Sequence, residues 1–567
     1  MKQIFKLTLL ILLLYLVCAC TISEKETKPN IILILADDFG YMDIQQYANR
    51  ALGTDKSKMF YETPNLDRLV NEGVAFEQAY ACQLCSPTRA SILTGKFAGR
   101  LGFTTATPLI NTYYNQNLAV PKGSYAHDVL SHTDRIKIEQ AWLNGSTNTA
   151  VPSGTAMDNG CDEISIAEAL PDYHSAFIGK WHIGGHGAEG YQPADQGFEP
   201  LAWFDAGGST YFNWRPGWNN RSKKRLPKIP QEEWKMGYAG EDTGEEYLTD
   251  DLTKQALQFI DKRTQIKEQP FFLYFCHFAV HSPWQGKQAD IDYFENKETK
   301  GWNGHEDATY ASMIRGLDNS VGQILNKLEE TGLDENTLII FMSDNGGIDN
   351  DVEPRGFITD NYPLTGGKAC VTEGGIRVPL ILHWKNRIEG GKWCNVPVDC
   401  TDILPTIVEA AGHSPKRFYH EIGIDGRSIL GLSNDVENEN KTYTKDTRYW
   451  HYPFNVVYHN PYDGLPLTPH SAIREGDFKL IWDWHGRLKL FNIAEDISEK
   501  NNLAKLMPEK TKELFKKLVV WLKTNVNETY WPKVNPDYSP ENEAHNEPFV
   551  DLLEVYRKGG NVVEKSN

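Results

Sequence analysis

Cys85-Ser86-Pro87-Thr88-Arg89 sets a nucleophile, a helix-start pair and a guanidinium within five residues. Ser86 followed by Pro87 predicts a helix start, because Ser can cap orphan N–H groups and Pro loses nothing at the first helical position. Cys85 then stands at a helix mouth, where partial positive charge and free backbone donors suit an anion, and Arg89 lies one turn further along near the same face. A nucleophile beside an anion site is the simplest reading. Cys82-x-x-Cys85 also opens a helix as thioredoxin-like redox pairs do, so a dithiol reading stands beside it, although it accounts for neither Pro87 nor Arg89.

Other reactive types fall at the ends of apolar runs. Asp37 and Asp38 close the run 30–35, and adjacent carboxylates repel unless a cation sits between them; taken alone they read as solvated turn aspartates. Lys180 and His182, two apart in a turn bounded by Gly179 and Gly184, put a cation and an imidazole on one side of an extended backbone, or else are a surface lysine and a packed histidine. The run 271–276 leads to His281-Ser282-Pro283, with His277 inside the strand as a packing residue. The run 337–342 delivers Ser343-Asp344-Asn345-Gly346-Gly347, again an oxygen-bearing pair at a strand end.

These runs are continuous rather than alternating, the mark of strands buried on both faces in a parallel sheet, whose carboxyl ends are where α/β proteins place ligands. Residues 63–73 predict a short amphipathic helix stopped by Gly73, and 310–328 a longer one with Met313, Leu317, Val321, Ile324, Leu325 and Leu328 on one face. Residues 104–160 read as an inserted loop region near the site's mouth. Past 440 the pattern changes to short strands and turns with a helix near 508–522, and beyond Trp531 the tail is polar and Pro-rich. The expected division is a leader at 1–20, a large domain at 28–440 and a smaller α+β subdomain with the tail at 441–567.

Lys2 and Lys6 precede an apolar run from Leu7 to Ala19 that is too short for a membrane span and reads as an export signal. It ends Leu16-Val17-Cys18-Ala19-Cys20, which resembles a bacterial lipobox with Cys20 as the lipidated first mature residue; an ordinary secretory signal or uncleaved anchor is the alternative. Acidic residues outnumber basic ones by 76 to 58, a net charge of −18, which argues against nucleic acid as a partner. Of nine cysteines, six remain after Cys18, Cys20 and Cys85. Cys394 and Cys400 are close enough in sequence to pair, but no partners are assignable.

Cys85-Ser86-Pro87-Thr88-Arg89 followed by Ala90-Ser91-Ile92-Leu93-Thr94-Gly95 resembles the C-x-P-x-R signature of type I sulfatases of the alkaline-phosphatase superfamily, especially bacterial lipoprotein polysaccharide sulfatases. Asp37-Asp38-Phe39-Gly40, Gly179-Lys180-Trp181-His182-Ile183-Gly184, His281, Asp344-Asn345, and Gly366-Gly367-Lys368 with Glu373-Gly374-Gly375-Ile376-Arg377-Val378-Pro379 match that family's other motifs. The resemblance implies an α/β fold: a large domain with a central, mostly parallel mixed sheet flanked by helices, plus a small C-terminal antiparallel sheet with a helix.

It implies further that Cys85 is oxidised to formylglycine by a formylglycine-generating enzyme, a transient partner. Asp37, Asp38, Asp344 and Asn345 would hold Ca²⁺, with Mg²⁺ the lesser candidate for such a hard-oxygen set. Arg89, Lys180 and Lys368 would bind sulfate oxygens. His281 would donate the leaving-group proton, and His182 would take one from the residue at position 85. The implied activity is hydrolysis of sulfate esters on a carbohydrate, either an algal glycan such as ulvan or a glycosaminoglycan, by an enzyme in the periplasm or on the outer membrane. Between Trp203 and Arg225, the residues Tyr211, Trp214, Arg215, Trp218, Arg221 and Arg225 offer the aromatic faces and forks such a sugar needs, or form a packed surface loop. Two alternatives remain: a phosphatase, phosphodiesterase or phosphonate monoester hydrolase on the same fold, and a non-catalytic sulfated-glycan binder.

Overall fold

The computed structural model describes residues 27–106, 163–183, 192–225, 237–266, 268–299, 305–349, 351–352, 356–453, 456–459, 461–462, 466–467, 469–484, 487–527 and 530–532. The leader with Cys18 and Cys20, most of the 104–160 stretch, Gly184 and the tail from 533 lie outside the described residues, as do the side chains of Arg221 and Arg225.

Nine strands form the central sheet: β1 (Asn30–Ala36), β2 (Val74–Phe76), β3 (His174–Lys180), β4 (Glu199–Phe204), β5 (Gly237–Tyr238), β6 (Phe271–Cys276), β7 (Thr337–Ser343), β8 (Leu380–His383) and β9 (Lys392–Cys394). Their order is β9-β2-β8-β7-β1-β6-β3-β4-β5. The run β7-β1-β6-β3-β4 is parallel throughout, while β8 and β5 join antiparallel, so the sheet is mixed with a parallel centre.

The continuous apolar sequence of β1 explains its central place. Ile32 and Ile34 pack into one core and Ile31, Leu33 and Leu35 into the other, all fully buried. Each such side chain contributes roughly 2 kcal/mol of burial free energy, which a strand facing water on one side would forfeit for half its residues. Helices Leu248–Thr264 and Ala308–Thr331 cover the first face, and Cys85–Thr94 and Ile403–Ala410 the second. Ala308–Thr331 buries the expected stripe from Met313 to Leu328; the Asp307 carboxylate accepts the Tyr310 N–H at its start, and Gly332 ends it at φ 69°.

The smaller part carries an antiparallel sheet of β10 (Thr447–Tyr452), β11 (His470–Glu475), β12 (Phe478–Asp483) and β13 (Arg487–Asn492), in that order. Helix Pro508–Asn525 lays Leu514, Leu518 and Leu522 against Leu480, Trp482 and Leu490. Large parallel-centred sheet and small antiparallel sheet with one helix are the architecture expected of the sequence.

Candidate active site

The register aligns the carboxyl ends of four neighbouring strands. Ala36 of β1 pairs with Ser343 of β7, Leu35 with Cys276 of β6, and Cys276 in turn with Gly179 of β3. Asp37-Asp38, Asp344-Asn345, Lys180 with His182, and His281 therefore emerge at one edge of the sheet, the ligand-binding edge of a parallel fold. Gly179 is obligatory at this crossing. Its φ is 99°, and a Cβ there would lie 1.7 Å from the Cys276 carbonyl oxygen. Asp38 and His182 hold left-handed backbones at φ 57° and 56°, strain concentrated on two residues that face the pocket.

Helix Cys85–Thr94 enters this edge from the second face with all ten residues buried, as a helix with no solvent side must be. The start differs from expectation. Leu84 is the cap residue, with no side-chain cap bond, and Cys85 is already in the first turn. Ser86, expected as the cap, instead donates from Oγ to the His182 carbonyl at 2.6 Å, and Thr88 Oγ1 donates to the Asp344 carbonyl at 2.5 Å. Both hydroxyls thus tie the helix mouth to the strand ends instead of capping it. Cys85 Sγ lies 3.3 Å from His182 Nδ1.

Three buried cation and carboxylate pairs fill the floor. Lys180 Nζ donates to Asp37 Oδ1 and Oδ2 at 2.9 and 2.7 Å, and Lys368 Nζ to Asp38 Oδ2 at 2.7 Å. Arg89 donates from Nε and Nη2 to Asp344 Oδ2 at 3.1 and 2.6 Å, and from Nη1 to the Lys180 carbonyl at 2.7 Å. The Arg89 fork, expected on an open anion site, is therefore directed at Asp344 and the end of β3. Burial raises the Asp37 carboxyl despite Lys180 and pushes Asp344 up to about 6. Burial would raise Asp38 too, but Lys368, His281 and Lys180 hold it well below the usual carboxylate range. His281 is pushed down to about 3 by burial and then by Lys368; its Nδ1 lies 2.6 Å from the Ser282 carbonyl and its Nε2 3.6 Å from Asp38 Oδ2. Burial likewise raises the Cys85 thiol, outweighing Lys180 and Lys368, so the unmodified side chain is a neutral, poor nucleophile.

Lys368 reaches the floor from a loop built on glycine contacts. A Cβ on Gly346 would lie 1.8 Å from the Gly374 carbonyl oxygen, and one on Gly374 1.9 Å from that of Gly366. Only backbone fits between these segments, which is why Gly-Gly recurs at 346, 366 and 374.

The oxygen set fits a hard divalent cation on its own chemistry. Asp37, Asp38 and Asp344 supply carboxylates; among the described residues, Asp37, Asp38 and His281 form one group with ligand atoms within 4.8 Å of one another, and Asp37, Cys85 and Asp344 another. Asn345 donates from Nδ2 to Asp38 Oδ1 at 2.9 Å while its Oδ1 is buried with no hydrogen-bond partner. A buried amide oxygen beside three carboxylates is a ligand set with one member waiting. Charge agrees: Lys180, Lys368 and Arg89 match the three carboxylates in number, so the set has no net charge and would turn net positive towards an incoming anion with a divalent cation added.

Gly207 and Gly208, two residues past Asp205 at the end of β4, belong to the site and were not legible from motif or charge. A Cβ on Gly207 would lie 3.1 Å from His182 Cε1, and one on Gly208 2.9 Å from His281 Nδ1, so this Gly-Gly turn closes over both imidazoles. The only signal was a Gly pair soon after a strand. The aromatic stretch packs behind the site: Tyr211, Trp214 and Trp218 are buried in the core, Tyr211 OH donates to the His281 carbonyl at 3.0 Å, and Arg215 is paired with Asp251 2.9 Å away. These residues pack rather than display a sugar platform. Cys394 and Cys400 do not face each other either; Cys394 donates to the Val436 carbonyl, Cys400 contacts Cys82, and all six described cysteines are free thiols.

A family model described as Sulfatase matches residues 29–413, and a second, described as N-sulphoglucosamine sulphohydrolase, C-terminal, matches 367–528. A protein named Sulfatase from Formosa agariphila is 29% identical over 580 residues, covering 94% of this chain and 96% of that one. N-acetylgalactosamine-6-sulfatase of Mus musculus is 30% identical over 487 residues, covering 84% and 76%. The crystal structure of Ps i-CgsB is similar at a TM-score of 0.66 and 27% identity over 90% of this chain and 96% of its own; the same protein in complex with k-i-k-neocarrahexaose gives 0.65.

Proposed function

Because this chain belongs to the sulfatase family and is a sulfuric ester hydrolase, we propose that it removes sulfate from a sulfated oligo- or polysaccharide, using the residue at position 85 as nucleophile after conversion to formylglycine. The observation that carries the reading is the placement of Cys85 at the foot of a buried helix, 3.3 Å from His182 and facing the Asp37, Asp38, Asp344 and Asn345 oxygen set. The carbohydrate part draws support from relatives named for an N-acetylgalactosamine sulfate and from a neighbour solved with a neocarrahexaose.

Hydrated formylglycine supplies a geminal diol, one hydroxyl to attack sulfur and the other to expel the product, which a plain thiol or hydroxyl cannot do. Asp37, Asp38, Asp344 and Asn345 would hold Ca²⁺, which when bound would supply Lewis acidity towards a sulfate oxygen. The chain's own residues do the rest. Lys180 and Lys368 stand on either side of the Asp37-Asp38 pair and neutralise charge on the sulfate. Arg89, engaged with Asp344 and the β3 carbonyl, is a positioning residue. His182 receives a proton at Nδ1 from the group at position 85. His281 has its Nδ1 beside the Ser282 carbonyl, which leaves Nε2 as the atom that would hand a proton to the leaving oxygen.

The leader supports a companion proposal, that the protein is exported and lipid-anchored through Cys20; among the described residues no helix is long and apolar enough to cross a membrane. The deciding experiment co-expresses the chain with a formylglycine-generating enzyme and reads the tryptic mass at position 85 with sulfate release from a panel of sulfated oligosaccharides. Conversion lowers the mass by about 18 Da. Conversion with release supports the reading; a persistent thiol with no release overturns it.

A further inference from the structure

The loop that carries Lys368 is held at both of its ends by two consecutive residues of the C-terminal part. Thr365 Oγ1 donates to the Ser498 carbonyl at 2.5 Å, and the Glu373 N–H donates to Glu499 Oε2 at 2.7 Å. Between these points the loop closes on itself: Gly374 N–H donates to the Thr365 carbonyl and Cys370 N–H to that of Gly367, while Lys368 N–H reaches the Gly347 carbonyl at 3.0 Å.

Glu499 is itself fixed by charge. Lys479 Nζ of β12 lies 2.9 Å from Glu499 Oε1 and 2.9 Å from Glu373 Oε1, all three side chains buried. Tyr80 OH donates to Glu373 Oε2 at 2.8 Å, and Arg377 Nη1 lies 3.3 Å from the same oxygen. Glu499 holds this position at φ 50°, a left-handed backbone that a non-glycine residue adopts only when its surroundings over-determine it. A buried lysine shared by two carboxylates from different parts of the chain is costly unless it secures a geometry.

We propose that Ser498 and Glu499, with Lys479 behind them, are positioning residues for sulfate-ester hydrolysis: they fix the 365–373 loop so that Lys368 is presented to Asp38 and the sulfate. The proposal rests on the reading above that Lys368 binds sulfate. It gives the C-terminal part a role in the reaction, although no residue of it contributes to the floor described here.

The test uses the full-length, matured enzyme and pairs of variants that differ only in the holding bond. Glu499→Leu removes the acceptor of the Glu373 N–H, whereas Glu499→Gln keeps an acceptor there; Thr365→Val removes the donor to Ser498, whereas Thr365→Ser keeps it. Two readouts are taken: kcat/KM on a sulfate ester, and the rate at which Lys368 is acetylated by acetic anhydride, measured by mass on its own peptide. Expected are a fall in kcat/KM of about 10- to 100-fold in Glu499→Leu and Thr365→Val, faster Lys368 labelling in both, and return towards wild type in Glu499→Gln and Thr365→Ser. If Glu499→Leu fails to fold, the half-exposed Thr365 pair decides alone. Wild-type labelling and turnover in a folded Thr365→Val overturns the proposal. Lys368→Ala separates the two claims: full activity in that variant defeats the sulfate-binding reading, while the labelling rates still report whether the loop is held.

Discussion

Lys180 Nζ contacts both oxygens of Asp37 in a pocket where neither side chain meets solvent. One ammonium is thus the directly bonded counter-charge, backed by Arg89 and Lys368, of a carboxylate that the metal reading also needs as a ligand. Removing that ammonium leaves Asp37 buried and unpaired, which costs about 3–5 kcal/mol in a buried pair. Lys180→Ala is expected to lower urea-unfolding stability on that scale in metal-free protein. Adding Ca²⁺ is expected to restore a larger share of stability in Lys180→Ala than in wild type.

Chelation is expected to abolish sulfate release while leaving the protein folded, because Lys180, Lys368 and Arg89 still balance the three carboxylates. Activity should return with Ca²⁺ more fully than with Mg²⁺, and the melting temperature should rise with added Ca²⁺ as ligand linkage requires. Asp344→Asn and Asn345→Ala should each lose the Ca²⁺-dependent rise. Persistent activity in a chelator-treated sample shown by elemental analysis to be metal-free would sink the assignment.

Cys85→Ala is expected to fold, since the side chain is small and its neighbours Ser86 and Thr88 supply the ties to the strand ends. Its activity should fall by on the order of a thousandfold or more, the scale of losing a nucleophile that acts as a unit with its proton acceptor. His182→Gln should fall by roughly a hundredfold, the usual scale for a general acid or base.

Gly208→Ala tests the turn above the imidazoles. The added methyl would sit 2.9 Å from His281 Nδ1, so either the ring or the turn moves by a few tenths of an ångström. The expected result is a drop in kcat with near-normal melting behaviour, since the turn is at the pocket and not in a core.

Buried histidines set the acid side of stability. Burial pushes His277 down to about 3, so between pH 6.5 and that value the unfolded chain binds a proton there and the native one does not. Its contribution is full above pH 6.5 and is lost as pH falls, by on the order of 1 kcal/mol per pH unit. His277→Gln should flatten the fall in unfolding free energy between pH 6 and 4 by that slope. An unchanged slope would show that His277 titrates normally.

How much of this was legible in the chain follows from how far each signal reaches. Strand ends announce themselves locally, so Asp37, Asp38, Lys180, Asp344 and Asn345 could be placed at the sheet's edge from apolar runs alone. The helix of Cys85 was legible too, but not that Ser86 would bond to a residue 96 positions away, because hydroxyls satisfy whichever partner the tertiary fold supplies. The same limit explains Trp214 and Trp218: a tryptophan in a basic stretch looks alike whether it faces a sugar or a core, and burial decides. Gly207 and Gly208 carry no side chain at all, so their role exists only as space beside the two histidines.

The floor of the pocket also has a place in time. Asn345 bonds to Asp38 across 307 residues, and Arg89 to Asp344 across 255. Contacts of such separation close late and slowly, because the loop between them must be ordered first. A nascent chain that has already emitted Asp37, Asp38 and Cys85 still lacks the strand that brings Asp344 and Asn345, so those side chains wait in water for about half of synthesis. An enzyme that modified the residue at position 85 would meet it in water during that interval and buried once β7 docks.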